Sequence, residues 1–315
     1  METTTAMTEE EDPFAGFPPQ PIKCQWLTER DREAAPSADI IRLIVDDQRG
    51  QCDPWANDVY QQHFLRDVQD FIGPTRAILV TDAGSIKAYI EPLSGTLDSI
   101  RSGLHSLSEA VSRVDLGSME MLLGVDGCMR GESTHLQTVI HLQGEHLISQ
   151  AIAVVKLYPT GAERANLVGW RVCEALGRVP DELIQARRIN TSVGPILVLV
   201  CNDAAIFSAR SRSNLASNLG LAIRQHFMQQ AIAEPRAKYI LIATHWQGIN
   251  PDSGRWSGDA FRQAAEFLND ETGATVVTTL RAPKPDLVGA ASRFNVVGAR
   301  MDKVATLLVS DTYGD

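Results

Sequence analysis

The run Ile196-Leu197-Val198-Leu199-Val200 constrains this chain more than any other segment. Five branched or leucine side chains in succession leave no polar face for water. With Gly194-Pro195 in front and Cys201-Asn202-Asp203 behind, the run predicts a strand covered on both sides. Strands of that kind need helices on the faces of their sheet, which points to an α/β chain.

The rest of the sequence repeats this alternation. Strands are expected at 40–45, 77–80, 86–90, 119–125, 136–142, 148–156, 196–201, 239–243, 275–280, 294–297 and 304–309. Amphipathic helices are expected at about 55–72, 97–114, 181–188, 213–233 and 259–269. The consecutive strands between 119 and 156, set among β-α repeats, suggest two mixed sheets face to face with helices outside: an α-β-β-α sandwich. On this reading residues 1–36, rich in Pro and acidic side chains, form a flexible arm, and 37–315 form one domain. The stripe Leu215, Leu219, Ile223 and Phe227 serves either the core or an interface between subunits.

Composition narrows the function classes. A net charge of −10 over 315 residues disfavours nucleic acid, because phosphate binding needs clustered Lys and Arg. The nearest cluster, Arg187-Arg188 with Arg210 and Arg212, is expected on solvated faces. No apolar run reaches the ~18–20 residues that cross a bilayer, and the first residues carry no leader signal, so a cytoplasmic protein is expected. Cys24, Cys52, Cys128, Cys173 and Cys201 show no paired spacing and no clustering with the dispersed histidines. They are expected to be free thiols, with no metal and no cofactor.

Chemistry enters at two strand ends. Cys201 closes the 196–200 run, and Lys156 closes Ala151-Ile152-Ala153-Val154-Val155 before Leu157-Tyr158-Pro159. Open α/β folds place reactive groups at the carboxyl ends of their strands. One such residue is unremarkable; two are a constellation.

With these strands in place, the chain resembles a divergent member of the nitrilase, or carbon–nitrogen hydrolase, superfamily over about residues 38–310. The resemblance rests on Cys201-Asn202-Asp203 after its strand, and on Lys156-Leu157-Tyr158-Pro159-Thr160-Gly161-Ala162-Glu163. It rests also on the strand before that lysine, Thr138 to Leu142, and on Leu241 to Trp246. It implies a Cys201 nucleophile that attacks an amide or nitrile carbon to give a thioester, with hydrolysis or acyl transfer following. It further implies Lys156 and the Asn202 N–H as oxyanion stabilisers, Glu163 as the residue that positions the lysine, and His245 and Trp246 as pocket lining. A small amide-like substrate and a homodimer or higher oligomer follow from the same resemblance.

The sequence departs from the family at the general base. The family carries a Glu at the end of its second strand, and that position falls here on Asp82 or Ala83. Asp82 is the candidate base and Glu91, some residues later, the alternative. The lack matters because a free thiol has a pKa of ~8.5 and attacks only as thiolate. If neither carboxylate serves, the same fold would act as a catalytically inactive ligand-binding or scaffold subunit. Thr81-Asp82-Ala83-Gly84-Ser85 also admits a phosphate-binding hairpin, although no second phosphate loop accompanies it.

Overall fold

In the computed structural model, residues 22–46, 58–90, 93–112, 119–129, 135–143, 152–160, 163–208, 217–244, 258–282 and 296–310 are described. The strands are β1 (Lys23–Trp26), β2 (Ile40–Asp46), β3 (Ile78–Val80), β4 (Ile86–Ile90), β5 (Met121–Met129), β6 (His135–Leu142) and β7 (Ile152–Val155). They continue with β8 (Arg188–Thr191), β9 (Gly194–Val200), β10 (Tyr239–Ala243), β11 (Thr275–Ala282), β12 (Val296–Val297) and β13 (Val304–Ser310). The helices are α1 (Glu29–Ala34), α2 (Asp58–Ile72), α3 (Leu97–Ser112), α4 (Val168–Leu176), α5 (Asp181–Gln185), α6 (Asn218–Ile232) and α7 (Gly258–Thr272).

The strands run β7-β6-β5-β3-β2-β11-β10-β9-β8. Strand β2 is where two sheets meet. Its first residues pair with β3 (Ile40 with Ile78) and its last with β11 (Leu280 with Ile44), while β13 runs parallel to its whole length. Beyond that junction the two halves fold over one another, and the ends of β7 and β9 are bonded across the gap through Arg187 and Asp203, as described below. The pairings are mixed, parallel for β9-β10-β11 and antiparallel for β5-β6-β7.

The layers are legible in which side chains meet. Ile40, Ile78, Val80, Leu122, Val139, Val154, Ile196, Val198, Val200, Tyr239 and Leu241 belong to one buried cluster with no helical residue in it. The residues between them, such as Ile41, Leu79, Leu123, Ile140, Leu197 and Ile240, pack instead with helical Phe64, Ile100, Val172, Phe227 and Leu268. Alternate strand residues therefore face the other sheet and the helices, as the two-residue period of a strand requires. This is the expected α-β-β-α sandwich.

Several expectations change. Within the segment read as an arm, Lys23–Trp26 pair antiparallel with β13, Thr28 caps α1, and Trp26 packs beside Phe71. Lys23–Ser37 is thus structured, and the edge of β13 is covered. Ile223 and Phe227 are fully buried and Leu219 is partly so, which makes that stripe core; Leu215 lies outside the described residues. Strands β3 and β4 both pair in parallel with β5, so Thr81–Ser85 is a loop within one broken strand, and the phosphate hairpin is ruled out. No helix is long and apolar enough to cross a membrane among the described residues.

Candidate active site

The end of β9 is built to present Cys201. Val200 ends the strand and Cys201 opens a 3-10 turn, Cys201–Phe207. Cys201 has φ 49°, the only positive φ at a non-glycine residue among the described residues. An L residue in that region costs of order 1 kcal/mol or more and persists where its surroundings hold it. Here the holding group is Asp203. Its carboxylate is fully buried and accepts from the Val200 N–H (3.1 Å), the Leu157 N–H (2.9 Å), the Tyr158 N–H (2.7 Å) and Arg187 Nη1 (2.8 Å). Asn202 Nδ2 donates to the Pro159 carbonyl at 2.7 Å, so the cysteine turn and the segment after Lys156 are bonded twice over. The Asn202 N–H lies in the first turn, where N–H groups have no intrahelical acceptor.

Arg187 corrects the expectation of a solvated face. It is fully buried, pairs with Asp203, donates to the carbonyls of Val155 and Val198, and stacks 4.0 Å over the Phe227 ring. Burial pulls its pKa down, although Asp203 works the other way. Arg188 donates to the carbonyls of Gln230 and Ala233, at the end of α6.

Lys156, at 0% exposure, follows β7 into the gap between the sheets. Its Nζ donates to Gln137 Oε1 at 2.9 Å and to Glu163 at 2.7 and 2.8 Å. Burial opposes its charge, but Cys201, Glu163 and Asp203 outweigh burial and raise its pKa, so it is an ammonium at neutral pH. Burial also opposes the charge on Glu163. His135, whose Nε2 lies 3.7 Å away, and Lys156 prevail and hold that carboxyl well below the usual range. Helix α4 begins against the same lysine, where a Cβ at Gly169 would sit 2.2 Å from the Lys156 carbonyl oxygen.

The structure therefore brings Cys201, Lys156, Glu163 and Asn202 together, and Gln137, His135, Asp203 and Arg187 with them. Asp82 precedes Ala83, whose N–H donates at 3.0 Å to the carbonyl of Thr244, the residue after the Ala243 that pairs with Val200. The Asp82 carboxylate is fully buried and is taken up by its own turn, accepting from the Gly84 N–H (2.8 Å) and the Ser85 hydroxyl (2.7 Å). Glu91, His245 and Trp246 lie outside the described residues. Among the described residues no group of three or more His, Cys, Asp or Glu could hold a metal ion.

The sequence reading passed over His135, Gln137, Asp203 and Arg187 as parts of the site. One signal for the first two was present. In β6 every second residue, His135, Gln137, Val139 and His141, faces the other sheet, and three of those four are polar.

No family model matches the chain, and no curated protein matches it. Among solved structures it is similar to Nit3 of Saccharomyces cerevisiae, a member of branch 10 of the nitrilase superfamily. The identity is 13% and the TM-score 0.40, over 78% of this chain and 76% of that one. It is also similar to a carbon-nitrogen hydrolase from Helicobacter pylori G27, at 10% identity and TM-score 0.40 over 82% and 77%. Likeness at that level says nothing of chemistry, which rests on the site alone.

Proposed function

We propose that the chain hydrolyses, or transfers the acyl group of, a small amide-like C–N bond through a thioester on Cys201. The observation that carries this reading is a thiol held at φ 49° on a strand end, beside a fully buried ammonium whose pKa the thiol itself helps to raise. A cation next to a cysteine favours the nucleophilic thiolate. The same ammonium and the Asn202 N–H then face the oxygen that gains charge when sulfur adds to a carbonyl, and preorganised donors of this kind are worth several kcal/mol in the transition state. Glu163 keeps Lys156 charged and fixed, in a site shared with Gln137.

One observation favours a second reading. Asp82, which stands where the base is expected, is committed to Gly84 and Ser85. With no proton acceptor the pocket would bind a ligand and leave it intact. The two readings separate on incubation with a panel of small primary amides and nitriles, followed by intact-mass measurement. Hydrolysis predicts product, and an acyl adduct that maps to Cys201 and is missing from Cys201→Ala. Binding without an adduct or product would support the inactive pocket.

A further inference from the structure

The distances around Lys156 carry an inference that rests on the reading just given. An ammonium has three N–H bonds, and three acceptors already surround Lys156 Nζ: Gln137 Oε1 at 2.9 Å and the two Glu163 oxygens at 2.7 and 2.8 Å. An oxygen that gains charge beside Cys201 must therefore compete with the Glu163 carboxylate for that cation. The two carboxylate oxygens are not equivalent in this competition. Oε2 is also held by the Thr160 N–H at 2.8 Å, within its own turn. Oε1 has no backbone donor among the described residues, and His135 Nε2 stands 3.7 Å from it.

Backbone bonds fix His135 in that place. It opens β6, its N–H donates to the Asn166 carbonyl at 3.0 Å, and it bridges Leu167 in parallel. The Asn166 and Leu167 N–H groups both return to the Glu163 carbonyl at 2.8 Å. Imidazole and carboxylate are thus set on one small frame, one short movement away from a hydrogen bond. Closing 3.7 Å to an ordinary N–H···O length of about 2.9 Å takes roughly 0.8 Å. Burial opposes the charge on Glu163, and His135 heads the groups that overcome it, ahead of Lys156.

We infer that His135 is a positioning residue that takes Glu163 Oε1 from Lys156 as the oxyanion forms, which frees an ammonium N–H for that oxyanion. The thiolate sulfur bonds to the carbonyl carbon, and the carbonyl pair moves onto oxygen. That oxygen accepts the N–H released from Oε1, while the Nε2–H of His135 donates to Oε1. Oε2 stays with Lys156 and Thr160, so the carboxylate pivots about its fixed oxygen. When the intermediate collapses, the pair returns to the carbonyl and Oε1 returns to Lys156. No proton changes owner in this exchange, and a neutral imidazole with its proton on Nε2 is enough.

The test compares wild type, His135→Leu and His135→Gln by turnover of the best amide and by iodoacetamide alkylation of Cys201 at pH 7, mapped by mass spectrometry. A bond formed only in the transition state lowers kcat and kcat/KM equally. His135→Leu is expected to lower both about 10- to 10²-fold, the worth of a hydrogen bond to a charged group, with KM unchanged. Alkylation should stay within about twofold of wild type, since displacing iodide makes no oxyanion. His135→Gln, which keeps a side-chain N–H, should recover most of the turnover. If His135→Leu does not fold, His135→Phe replaces it with the same expectation. A wild type that turns over no amide, or whose Cys201 does not alkylate, overturns the thioester reading and this inference with it. A reactive enzyme whose turnover ignores His135→Leu, whose loss appears in KM, or whose alkylation falls with turnover overturns the inference alone. So does a His135→Gln no better than His135→Leu.

Discussion

The Asp203 carboxylate accepts the backbone N–H of Leu157 at 2.9 Å, so the turn that begins at Cys201 is bonded to the residue directly after Lys156. The thiol and the ammonium come from different sheets, and this carboxylate is what fixes their separation. A placement error near 1 Å can cost about 10²-fold in rate, so Asp203 should govern reactivity without touching substrate.

Asp203→Asn tests that role. It leaves Arg187 as a buried cation without its partner, and breaking a buried pair from one side costs about 3–5 kcal/mol. Urea unfolding should show a loss of that size. The folded fraction of the variant should alkylate at Cys201 more slowly than wild type, because an amide has one accepting oxygen and cannot hold both Leu157 and Tyr158 on one side and Val200 and Arg187 on the other.

Glu163 predicts a pH dependence of stability. Its folded pKa lies below the unfolded value of about 4.3, so its contribution is fully present above that value and is lost as pH falls through it. Wild type should therefore be more stable than Glu163→Gln at pH 7, and the gap should close progressively on acidification below about pH 5. Equal unfolding free energies at pH 7 would mean that the pairing with Lys156 contributes nothing net.

Gly169→Ala should disturb the site from behind. The added Cβ would stand 2.2 Å from the Lys156 carbonyl oxygen, so either α4 or the lysine segment must shift. Overpacking of this kind costs about 1–3 kcal/mol, to be read from the thermal midpoint. Gly177→Ala is the control for added volume: its Cβ would meet nothing within 4 Å, though the left-handed φ of 62° will cost some stability, and Cys201 reactivity should be unchanged.

The elements that were legible in the sequence are those in which one physical rule acted alone. Ile86–Ile90 and Tyr239–Ala243 appear with the bounds read from the sequence, because five residues rich in branched and aromatic side chains between polar turns are too short for a helix. Helix α4 was missed, and Gly169 is part of the reason. A glycine inside a helix weakens the helical signal, yet only glycine lets α4 approach Lys156. Strand β1 was hidden among prolines, since its pairing with β13 joins the two ends of the chain. Cys201, Lys156 and Glu163 could be proposed from strand ends and motif order. Arg187 could not, because its partner is sixteen residues away and burial of a charge leaves no periodic trace. The alignment of Gln137 with Lys156 needed the register of β6 and β7, which no local pattern carries.

The central claim is that Cys201 is the activated thiol and that Lys156 activates it. The direct measurement is the alkylation rate of Cys201, Cys24 and Cys173 by iodoacetamide from pH 5.5 to 9, in wild type and in Lys156→Met. Burial, aided by Asp67, pushes Cys24 up to about 11, and burial pushes Cys173 up to about 12, so neither supplies much thiolate in this range. Cys201 should react fastest of the three at every pH, and Lys156→Met should slow it at least about tenfold near pH 7, because the thiolate loses its neighbouring cation. A Cys201 no faster than Cys173, or indifferent to Lys156→Met, would contradict the account.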